Sequence, residues 1–362
     1  MKSGLTHILN ALLAGAAMLA MCSSCDSMIY DDEGDCSVTY RVKFIDDMNL
    51  KFADAFDSEV TSVTLYVFSA DDDSFIAMHS YADTDIATDN SVELTDLGPG
   101  RYRLVSWCGL GSGESFVTST LTPQHSTTAD LTCRMVRSGL TRDAADVVSS
   151  QLQPLFHGMT DIEIPTDATP GTHYYTVQLT KDTNNLHVVL QQLSGEDMNP
   201  ADYEFTVENA ANGLMAYDNS LLPDVSPVIY SASKISAGMA GVTADGSSTL
   251  SSEGGGTITS VQAVVSDLSM GRLVADSSTS KPQLVVRNVA TGAVIISVPI
   301  IDYALLVRGH EPRITSDQEY LDRQDEYNMT FFLENGQWLA NEIIINSWRI
   351  VLNQSDVEHD GD

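Results

Sequence analysis

Basic residues are scarce in this chain: 18 lysines and arginines stand against 50 aspartates and glutamates, a formal net charge of −32. Such a polyanion repels phosphate backbones and anionic lipid, which excludes nucleic acid as a partner. Long apolar runs are missing apart from one near the start, and so is sustained helical periodicity. Catalytic signatures are missing too, with no G-x-S-x-G elbow and no H-E-x-x-H among the eight scattered histidines. "GLGSGES" (109–115) is glycine-rich but lacks the helical continuation and the Lys-Ser/Thr pair of a phosphate loop. Asp71, Asp72 and Asp73 lack the later glycine and glutamate of a calcium loop, so they read as a solvated turn. With 50 carboxylates in the chain, chance pairs abound and none marks a glycosidase. These gaps leave no enzyme, no cofactor and no metal site to nominate.

What is present begins at the N-terminus. Lys2 precedes "ILNALLAGAAMLAM" (8–21), a run shorter than the roughly 20 apolar residues that span a bilayer, so residues 1–24 read as a cleaved signal peptide. Ser23 and Ser24 lead directly into Cys25, which resembles a bacterial lipobox with Cys25 as the acylated first residue of the mature protein. Cys22 fits less well, because bulky Met21 precedes it. A soluble secreted protein with a free thiol is the competing reading. Acylation would hold the chain on a membrane, each buried methylene contributing about 0.8 kcal/mol. Residues 25–36 follow as an acidic tether with Asp26, Asp31, Asp32, Glu33 and Asp35. A solvated linker explains these acids, and they also resemble the acidic export signal of Bacteroidetes surface lipoproteins.

Once Cys25 is acylated, Cys36, Cys108 and Cys133 remain, an odd number that allows one intramolecular bridge. Cys108 and Cys133 lie at the ends of strand-like segments and form the candidate disulfide. No C-x-x-C pair and no histidine at ligand spacing accompanies these three, which argues against metal.

Period-two alternation dominates the rest, predicting an all-β chain. Strands are expected at 37–45, 62–69, 101–108, 173–179, 203–210, 257–267, 282–289, 292–307, 327–335 and 342–354. Short helical pieces are expected at 52–60 and 141–153. In "SVTLYVFS" (62–69), Val63, Leu65 and Val67 fall on one face and Tyr66 and Phe68 on the other, so both faces can be buried. In "DLGPGRYRLVSW" (96–107), Pro99 and Gly100 suit the centre of a tight turn, with Gly100 at positive φ. The polar "KDTNN" (181–185) separates two strands and places a boundary between an N-terminal β-sandwich domain, 37–182, and a C-terminal one, 183–362. "ADGSSTLSSEGGG" (244–256) reads as a flexible loop. His157 and His187 have apolar neighbours and read as packed histidines. Trp107, Trp338 and Trp348 read as core or interface residues rather than sugar platforms.

Seven stretches, in order, resemble the FimB-like minor-fimbrium anchoring-subunit family of Bacteroidales fimbrial lipoproteins. They are "SSCDSMIYDDEGDC", "FADAFDSEVTSVTLYVFS", "DLGPGRYRLVSW", "LFHG", "LTKDTNNLHVVL", "QEYLDRQDEYNMTFFL" and "IIINSWRIVLNQ". The resemblance implies two tandem transthyretin-like β-sandwich domains behind the lipidated tether and no enzyme activity. It also implies an outer-membrane anchor, acylated at Cys25, that holds a fimbrial shaft and limits its length. Partners would be shaft subunits joined by strand addition. Related shaft subunits are cut by an arginine-specific protease after the first strand. Here Arg41 lies inside that strand and the next arginine is Arg101, which favours an uncut anchor, although Lys51 is open to another protease. The alternatives are a shaft or tip subunit, or a glycan-binding surface lipoprotein of a nutrient-uptake system.

Overall fold

The computed structural model describes residues 37–111, 113–137, 141–142, 145–194, 196–223, 227–242, 259–278 and 280–352. The expected signal peptide and tether, Cys25, Cys36 and the loop expected at 244–256 lie outside the described residues.

Alternating strands with two apolar faces need cover on both sides, and the chain supplies it with five sheets. The first sandwich packs a three-stranded sheet against a five-stranded one. The smaller sheet has the order β11 (Gly171–Gln178), β1 (Val38–Ile45), β4 (Ser91–Glu93). β1 is its central strand, parallel to β11 from Val38↔Gly171 to Ile45↔Gln178 and antiparallel to β4. The larger sheet runs β12 (Thr180–Lys181), β10 (Phe156–Ile164), β5 (Gly100–Cys108), β2 (Ser62–Ser69), β3 (Phe75–Ala82). Val42, Phe44, Leu65, Leu104, Phe156 and Val177 fill the space between them.

Two six-stranded sheets enclose the second core. One runs β17 (Lys234–Val242), β18 (Thr259–Gly271), β13 (Thr183–Gln192), β21 (Glu326–Glu334), β22 (Gln337–Ile345), β23 (Trp348–Val351). The other runs β20 (Val294–Pro299), β19 (Gln283–Asn288), β14 (Tyr203–Ala210), β16 (Val228–Ser231), β9 (Ala145–Val148), β8 (Thr141–Arg142). A last small sheet runs β15 (Leu214–Ala216), β7 (Thr132–Met135), β6 (Phe116–Thr118).

The change of sandwich falls between β12 and β13, yet residues 116–148 do not stay with the first half. β7 pairs with β15, and β9 runs parallel to β16. Tyr66, Phe68, Val105 and Trp107, on the outer face of β2 and β5, consequently share one apolar cluster with Phe116, Met135, Val207 and Phe331. The alternation read in "SVTLYVFS" is present, and both faces of that strand are buried.

Four local expectations change. The segment expected to be helical at 141–153 forms β8 and β9, because Ala145 and Val148 are buried beside β16 and β-branched valines suit a pleated surface. The strand expected through 307 stops at Pro299, which cannot donate to a ladder, and continues as a helix, Ile300–Leu305. Ile300, Tyr303, Ala304 and Val307 form its buried stripe at helical spacing. The last expected strand folds back at Asn346 and Ser347, both at positive φ, so its described part is split between β22 and β23 of one hairpin. Gly100 does not take positive φ; it opens β5, and Asp96 holds the left-handed position instead, at φ 63°.

Candidate functional site

Cys108 and Cys133 are both buried and free, so the candidate disulfide is not formed. On β5, Leu104 and Cys108 face the first core while Val105 and Trp107 face the second, where Cys133 lies. The five-stranded sheet itself separates the two sulfurs. Gly109, at φ 85°, is where the chain passes Pro154: a Cβ there would lie 2.0 Å from the Pro154 carbonyl oxygen. Its glycine is therefore a packing requirement. His157 packs against Trp107, centroids 4.7 Å apart, and its Nε2 lies 2.8 Å from the Tyr217 carbonyl oxygen. Burial pushes its pKa down to about 4. The Asp71–Asp73 turn is tied by Arg101 to Asp71 at 3.4 Å and by Arg103 to Asp73 at 2.8 Å. No metal-binding group of histidine, cysteine and carboxylate side chains occurs among the described residues.

Polar chemistry is concentrated where the two sandwiches meet. Lys181 Nζ donates to Glu59 and to Asp325, each at 2.6 Å. Burial opposes its charge, but the two carboxylate bonds outweigh burial and its pKa is raised. Next to it, Asp182 is fully buried, accepting from Asn219 Nδ2 at 2.7 Å and lying 3.7 Å from Arg272 Nε. Burial raises its carboxyl to about 7. Phe52, at φ 54°, holds its ring between the guanidinium carbons of Arg313 and Arg323, 3.9 and 4.1 Å from the centroid. Arg323 also donates to the carbonyls of Asp47 and Asn49. It is the last residue of a helix, Asp317–Arg323, whose N-cap Ser316 accepts from the Glu319 N–H. The S-x-x-E pattern at 316–319 announces that helix in the sequence.

Among the surfaces open to a partner are sheet edges. β17 and β23 end the same six-stranded sheet, and no described backbone pairs with their outer sides. The accessible part of β17 offers small residues and Lys234, whereas β23 carries Trp348 and Val351, 48% and 65% exposed. Trp348 lies flat on His310, centroids 3.6 Å apart and planes 3° from parallel. Among the three tryptophans, only Trp107 is fully buried; Trp338 is half-buried against Phe331, and Trp348 escapes the core because its strand is the last of the sheet. Unpaired N–H and C=O groups beside exposed apolar side chains suit strand addition.

Fold and surface together define an all-β sandwich protein with open sheet edges. The chain matches the model of the fimbrillin-A associated anchor proteins Mfa1 and Mfa2 over residues 32–354, and it belongs to that family of fimbrial, cell-surface proteins. It is similar to a candidate adhesin from Bacteroides thetaiotaomicron at 29% identity and a TM-score of 0.72, covering 87% of this chain and 97% of that one. A candidate polysaccharide-binding protein from the same organism matches at 26% identity and 0.70, covering 88% and 100%. The fimbrial anchor protein Mfa2 from Porphyromonas gingivalis shares the fold at 15% identity and 0.61, covering 87% and 99%. No curated protein matches the chain.

Proposed function

We propose that this chain is the non-enzymatic base subunit that anchors a fimbrium in the outer membrane and limits its length. A lipid on Cys25 holds it, residues 25–36 form the tether, and 37–182 and 183–362 build two sandwiches linked by the excursion of 116–148. A strand of a fimbrial shaft subunit adds to the outer edge of β23. The observation that carries this reading is the match to the anchor family over residues 32–354. Arg41 supports an uncut anchor over a shaft subunit: its Nε donates to Ser91 Oγ at 2.8 Å inside a strand paired on both sides.

Cys25→Ala is expected to release fimbriae into the medium, as measured by immunoblotting of culture supernatant. Normal retention by that variant overturns the anchoring role. Trp348→Ala should lose shaft subunits in co-purification while its unfolding temperature stays unchanged, and full recovery of the shaft would remove β23 as the docking edge.

A further inference from the structure

A cavity of about 740 Å³ lies between the start of the β19–β20 hairpin, the helix Ile300–Leu305 and the β22–β23 hairpin. That volume falls within the range of small-ligand sites. Its lining mixes two kinds of surface. Trp338, Tyr303 and Leu306 supply apolar area, and Asp276, Lys281 and Asp302 supply charge. The Tyr303 hydroxyl, both carboxylates and Lys281 Nζ have no hydrogen-bond or ion-pair partner among the described residues. Gln283 Oε1 accepts from Ser297 Oγ at 3.2 Å, which leaves its amide nitrogen unpartnered as well.

We propose that this cavity binds a short neutral saccharide or the end of a glycan chain. Sugar rings present an apolar C–H face, which the aromatic side chains match, and a rim of hydroxyls that both donate and accept. Carboxylates, an amide and a phenol around an aromatic wall answer that mixture group by group. A phosphate or sulfate would face two carboxylates against one amine, and a purely apolar ligand would leave every one of these polar groups unmet. The site is separate from the outer edge of β23 and stands whether or not the chain anchors fimbriae.

The test uses the full mature chain, with gluco-, manno-, galacto- and N-acetylglucosamine trisaccharides as probes in saturation-transfer NMR and calorimetry. At least one should bind, and Tyr303→Phe and Asp302→Ala should each weaken it about fivefold or more. Both variants should unfold at the temperature of the parent, since one deletes a single oxygen and the other sits at an exposed position. Trp348→Ala, away from the cavity, should bind the sugar normally. No binding of any trisaccharide at about 10 mM, binding that both cavity variants leave intact, or capture of a lysine-rich peptide in place of sugar would each overturn the proposal.

Discussion

Asp182 has no exposed surface, and burial raises its carboxyl to about 7. A carboxyl that holds its proton longer in the folded state loses stability as pH rises from its unfolded pKa near 4 to its folded one. Asp46, raised to about 6 by burial and by Glu59, adds a contribution of the same sign. His157, lowered to about 4 by burial, acts in the opposite direction: its contribution is lost as pH falls from about 6.5 toward 4. Asp182→Asn should therefore gain on the parent as pH rises, its unfolding temperature improving by several degrees more at about pH 8 than at about pH 4. An equal effect at both pH values in thermal scans would show that its titration does not contribute. At Gly109, a methyl group would meet backbone that cannot move aside, in a φ region hostile to side chains. Gly109→Ala is expected to cost more than ~2 kcal/mol in denaturant titration. "GLGSGES" showed its glycines plainly, but nothing local to it reveals that Pro154 lies against Gly109.

At the scale of elements, the connection between sandwiches depends on the segment 46–54 and the helix Asp317–Arg323. Phe52 between two guanidiniums couples them, and the carbonyls of Asp47 and Asn49 receive Arg323 from the same helix. Removing the ring deletes both cation–π contacts and the apolar area between the two arginine side chains. Phe52→Ala should destabilise by ~1–3 kcal/mol. It should also raise amide exchange in 46–54 and 317–323 together, whereas a rise in one segment alone would show that the contact does not couple them. The sequence reading missed this helix although Ser316 and Glu319 signal its start, and the fold-back at Asn346 and Ser347 was hidden inside an otherwise regular apolar run. Pro299 shows how one residue decides an element: "VIISVPIIDYALLV" is apolar apart from Ser297 and Asp302, and the break at proline turns its second part from strand to helix.

For the whole molecule, the excursion of residues 116–148 matters most. β7 pairs with β15 and β9 with β16, both from the second half, and their side chains share its core. A fragment starting at residue 183 lacks those strands and leaves the faces against Met135 and Val148 uncovered. It is expected to aggregate or show no cooperative unfolding by circular dichroism, while the full mature chain unfolds in one transition. A folded, cooperative 183–362 fragment would contradict this. The net charge of −32 adds a second property at this scale, keeping copies apart unless an edge strand makes specific contacts.

The sequence alone determined the acidic character, the all-β class, the position of most long strands and the two-faced burial of β2. These follow from composition and from period-two alternation, which are properties of neighbouring residues. Tertiary structure alone decided that Cys108 and Cys133 face different cores, that 116–148 joins the second half, and that Trp348 ends on an open edge. Each depends on which strand lies beside which, and that choice is made by contacts between residues tens to hundreds of positions apart, where alternation carries no address.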